Sequence, residues 1–168
     1  WFCQAVLAGL PGHGRVYWAL DREGQELPDG LAIGLRDWAQ LGQLLLDVGS
    51  GKHKSQLRPW MVDTLLLAGT PTAADEGFSV GARWHGRVVQ LPGNPKRLVI
   101  LGAAGTSLYL NVEQRLVIAL FAQYPVEHSP LLHATLESFW QGIEHALADG
   151  KWPLPAGVMR EQSRIAAH

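Results

Sequence analysis

Residues 87–122 read RVVQLPGNPKRLVILGAAGTSLYLNVEQRLVIALFA. Four short segments in this stretch, Arg87 to Leu91, Leu98 to Leu101, Thr106 to Val112 and Leu116 to Ala122, are rich in the β-branched and aromatic residues that suit a pleated, half-buried surface. Turn formers separate them. Pro92-Gly93-Asn94-Pro95 makes one connection and Val112-Glu113-Gln114-Arg115 another. Connections this short join antiparallel neighbours, so the region reads as a meander. Just upstream, Phe78, Val80, Ala82 and Trp84 alternate with smaller or polar residues and predict one more half-buried strand.

Helical spacing appears on both sides of this block. Downstream, Ser129 suits a helix N-cap with Pro130 at the first helical position, and Leu132, Leu136, Phe139, Trp140, Ile143 and Leu147 form an apolar stripe that Gly150 closes. Upstream, Leu35, Trp38, Ala39, Leu41, Leu45 and Val48 recur at threes and fours in an amphipathic helix stopped by Gly49. Pro59 opens a second helix through Met61, Leu65, Leu66 and Leu67, which Gly69 and Pro71 end; the two should pair on one side of the core. Before them, Arg15 to Leu20 reads as an extended segment entering the turn Asp21-Arg22-Glu23-Gly24, and Trp1 to Ala8 as the end of a helix. The order predicts an α+β fold: an antiparallel sheet with flanking helices and a long C-terminal helix, in a single domain over residues 1–168.

Composition narrows the function. With 47% hydrophobic and 17% charged residues and a net charge of −1, the chain has no basic field for a phosphate backbone, so nucleic acid is not an expected partner. Cys3 is the only cysteine, which rules out an internal disulfide and a thiolate zinc site. No apolar run reaches the roughly 20 residues of a membrane-spanning helix. Neither a cofactor nor a metal is expected, and the compartment, bacterial cytoplasm or periplasm, stays open. Trp1 to Leu10 is apolar with no start signal, which reads as a chain entered in mid-course.

Two stretches resemble a known family. Tyr17-Trp18-Ala19-Leu20-Asp21-Arg22-Glu23-Gly24, continuing through Asp29-Gly30-Leu31-Ala32 into the helix that opens Leu35-Arg36-Asp37-Trp38-Ala39-Gln40-Leu41-Gly42, is similar to a segment of β-lactamase-like esterases. Gly102-Ala103-Ala104-Gly105-Thr106-Ser107-Leu108-Tyr109-Leu110-Asn111 resembles the glycine-rich turn and aromatic strand that wall the active site of the same serine hydrolases, the superfamily of class C β-lactamases, penicillin-binding esterases and nylon-oligomer hydrolases. The resemblance implies a β-lactamase/transpeptidase-like fold with the last helix packed on the sheet, and acyl-enzyme chemistry on a small-molecule ester, amide or lactam.

The family's catalytic motifs are not in this sequence. Its nucleophile lies in Ser-x-x-Lys, where the lysine one helical turn away assists deprotonation of the serine. Here Ser50 is followed three positions later by His53, and Ser55 by Arg58. Tyr109-Leu110-Asn111 matches the second motif as a string but sits in a predicted strand, where the match reads as coincidence; Lys-x-Gly and His-x-Gly occur nowhere. Two readings follow. Either this is the C-terminal portion of a hydrolase whose nucleophile-bearing part is absent, or it is a catalytically inactive binding or scaffold protein. On both, the chain alone should be inactive, its cleft face open, with apolar side chains covered by the missing part or a second copy.

The resemblance and the turn chemistry make Gly102, Ala103, Ala104, Gly105 and Thr106 candidate substrate-binding residues, because glycine and alanine let a substrate carbonyl approach backbone N–H groups. Trp84 and Trp18 are the tryptophans expected to face a substrate. No catalytic residue is assigned. His128, His133 and His145 lack the spacing of a zinc site and are expected at surface or capping positions. Arg36 and Asp37 read as structural, the acid complementing the helix dipole. Gly49-Ser50-Gly51-Lys52 follows a helix rather than a strand and is not a phosphate loop.

Overall fold

The computed structural model describes residues 16–52, 70–71, 77–85, 87–93, 96–102, 106–122 and 130–150. The helices expected at Trp1 to Ala8 and after Pro59, and the Ser129 cap, lie outside these residues. In chain order the elements are β1 (Tyr17–Leu20), β2 (Glu26–Ala32), α1 (Leu35–Gly49), β3 (Thr70–Pro71), β4 (Arg83–His85), β5 (Val88–Leu91), β6 (Arg97–Leu101), β7 (Ser107–Asn111), β8 (Leu116–Leu120) and α2 (Pro130–Ala148). β3 to β8 form a six-stranded antiparallel sheet in sequence order, and β1 and β2 a separate hairpin. The expected α+β arrangement is present.

The side-chain period of two sorts the sheet into two faces. Val88, Ile100, Leu108 and Ala119 are aligned across β5 to β8, with Leu98, Leu110 and Val117 in the next row. These pack against Trp38, Leu41, Leu44 and Val48 of α1. Trp84, Val89, Val99, Tyr109 and Ile118 form the alternate row and pack with Leu132, Leu136 and Trp140 of α2. A helix therefore covers each face, and the expectation of an open sheet face is not met: α1 occupies it.

Gly42 explains how closely α1 sits. A Cβ built there would lie 2.7 Å from Val117 Cγ1, 3.0 Å from Leu110 Cδ2 and 3.1 Å from Leu108 Cδ1. In an exposed helix, Gly→Ala stabilises by about 1 kcal/mol; here overpacking reverses the sign. Gly42→Ala is expected to lower stability by about 1–2 kcal/mol, read as a fall in urea midpoint at constant slope. A raised midpoint would show that the contact is slack.

Two local expectations need correcting, and one strand was not anticipated. Residues 77–82 are turns rather than strand: Ala82 N–H bonds Ser79 O at 3.0 Å, Gly81 has φ +93°, and Val80 is 90% exposed. The alternation of Phe78 and Ala82, both buried, arises because this loop folds onto α2, where Ser79 donates through its N–H (2.9 Å) and Oγ (2.6 Å) to the Glu137 carboxylate. Glu26 to Ala32 pairs with β1 despite Pro28, Asp29 and Gly30, since Gly30 sits where a Cβ would approach Ala19 O to 2.8 Å. α1 includes Gly49, and the left-handed residue after it is Gly51, with φ +69°.

Candidate functional site

A cavity of about 390 Å³ opens where the β1–β2 hairpin and the start of α1 meet the end of the sheet. Trp18 and its cross-strand partner Leu31 line it, with Ala32 and Ile33; the pairing register shifts between Trp18 and Leu20. Trp38 completes that side from the first turn of α1, which begins with Trp38 N–H bonding Gly34 O at 2.8 Å. The sheet supplies Arg87, Ile100, Leu101, Gly102, Thr106 and Phe121. The wall formed by the described residues is therefore mainly aliphatic and aromatic, with the Arg87 guanidinium, the Thr106 hydroxyl and the Trp18 and Trp38 indoles as its polar side-chain groups. Trp38 is 9% exposed, and its indole nitrogen has no hydrogen-bond partner among the described residues.

Of the candidate residues, the structure brings Trp18, Gly102 and Thr106 to this cavity. Ala103, Ala104 and Gly105 lie outside the described residues. Gly102 does not offer its amide: its N–H bonds Thr106 O at 2.8 Å, extending the β6–β7 ladder by one step. A Cβ there would come within 3.2 Å of Thr106 Cβ, so glycine closes the base of the turn. Trp84 stands on the other sheet face, edge-on to Phe78 at 5.7 Å and to His133 at 6.1 Å. Strand alternation puts it there, because its partner Val89 faces α2. His133 is buried and stacked on Phe78 at 4.5 Å, a core position rather than a surface or capping one.

Sequence reasoning did not single out Arg87, Ile100 or Phe121. Phe121, 45% exposed just past β8, is the one with a visible signal: an aromatic residue left at the open end of a strand. Asp37 is buried in the first turn of α1, in keeping with its structural reading.

The Tyr109-Leu110-Asn111 string has its own explanation on the α2 side. Tyr109 donates to Glu144 Oε1 at 2.5 Å, Asn111 Nδ2 donates to the same oxygen, and Arg97 donates to Oε2 from Nε at 3.1 Å and Nη2 at 3.0 Å. Burial, then the hydrogen bond and charge of Glu144, hold the Tyr109 phenol far above its ordinary range. A base for proton abstraction needs the opposite shift, so Tyr109 is a structural tie between sheet and helix.

Among the described residues that line the cavity, none is a nucleophile paired with a base. The fold is shared with a solved structure. That structure, a 6-aminohexanoate-dimer hydrolase by name, from Bacillus anthracis, superposes with a TM-score of 0.62 at 21% identity, covering 80% of this chain and 34% of that one. This chain thus spans about a third of that protein's length. No protein-family model matches the sequence, and no curated protein matches it.

Proposed function

We propose that this chain is the binding-wall portion of a β-lactamase-like serine hydrolase acting on an ester, amide or lactam, whose Ser-x-x-Lys lies outside these 168 residues. One observation carries the reading. Trp18 and Trp38 from the first matched stretch and Gly102 and Thr106 from the second, distant in sequence, converge on one cavity, in a fold shared with a hydrolase. In such an enzyme the serine Oγ attacks the substrate carbonyl and its proton passes to the lysine. The leaving group departs protonated, and water then releases the acid. This chain's part is to hold the substrate against the sheet end.

The reading predicts two results. The full gene product reacts covalently with a fluorophosphonate or a fluorescent penicillin, and Ser→Ala in its Ser-x-x-Lys abolishes the labelling. The isolated chain hydrolyses neither p-nitrophenyl acetate nor nitrocefin above the buffer rate. Turnover by the isolated chain that disappears in Ser50→Ala, Ser55→Ala, Ser107→Ala or Ser129→Ala would place the nucleophile here and overturn the proposal. A full gene product that takes no label would favour the inactive scaffold, the reading suggested by Ala103 and Ala104 in place of an ionisable residue at the turn.

A further inference from the structure

We draw no further inference here: the strongest candidate, the outer face of α2 on which Leu131, Phe139 and Leu147 stand exposed, carries nothing because nothing in the structure shows what covers it.

Discussion

Gly77→Ala is expected to cost about 4 kcal/mol and to lower Tm by about 12 °C. Gly77 has φ +84°, and a Cβ there would lie 1.9 Å from Pro130 O and 2.5 Å from its carbonyl carbon. The obstacle is backbone at the start of α2, so no rotamer change can relieve it. The loop would have to withdraw, taking with it the bonds from Ser79 to Glu137 and the stack of Phe78 on His133. Gly24→Ala is the control. Gly24 has φ +80° but open space around its Cβ position, so it should show the conformational cost alone, about 1 kcal/mol. Thermal unfolding of the two variants side by side checks the argument, and equal losses would refute it.

Glu144→Ala should cost about 3 kcal/mol at neutral pH, because it leaves Arg97, Tyr109 and Asn111 without the carboxylate they converge on. The loss should also depend on pH. Burial pushes the Glu144 carboxyl up, but hydrogen bonds from Tyr109, Asn111 and Arg97 and the charge of Arg97 outweigh it and hold the group below its ordinary value of 4.5. A depressed carboxyl stabilises the fold above that ordinary value, and the contribution is lost as pH falls through the lowered one. Urea midpoints of the wild-type chain and Glu144→Ala, measured from pH 7 down to pH 3, should therefore converge on acidification. Parallel curves would mean that the carboxylate's charge does not matter to the fold.

What could be read from the sequence follows from which signal each element carries. α1 was legible because Leu41, Val48 and their neighbours repeat at helical spacing, and the meander because Pro92-Gly93 and Glu113-Gln114 punctuate β-rich runs. β2 was not, since Pro28, Asp29 and Gly30 are breakers by propensity and only pairing with β1 makes them a strand. α2 was placed correctly, but its buried seam is Leu132, His133, Leu136, Glu137, Trp140 and Glu144, while Phe139 and Leu147 of the apolar stripe are exposed. A hydrophobicity pattern cannot find a seam built partly of carboxylates satisfied by Ser79, Tyr109, Asn111 and Arg97. Of the candidate site, Trp18, Gly102 and Thr106 were found through resemblance. Arg87 and Ile100 carry no local mark, because only the sheet's register brings them to the same end.

The strands of the large sheet lie in the order in which they occur along the chain. Each pairing within the sheet therefore closes a short loop and demands little loop-closure entropy. The helices are the exceptions: α1 precedes the sheet yet packs on β7 and β8, strands from the sheet's far end, and α2 follows it yet ties back to Ser79 and Arg97. The sheet can form from near neighbours. Among the described residues, the search for the native state then turns on two long-range events, the arrival of α1 with Gly42 against Val117 and of α2 with Glu137 on Ser79.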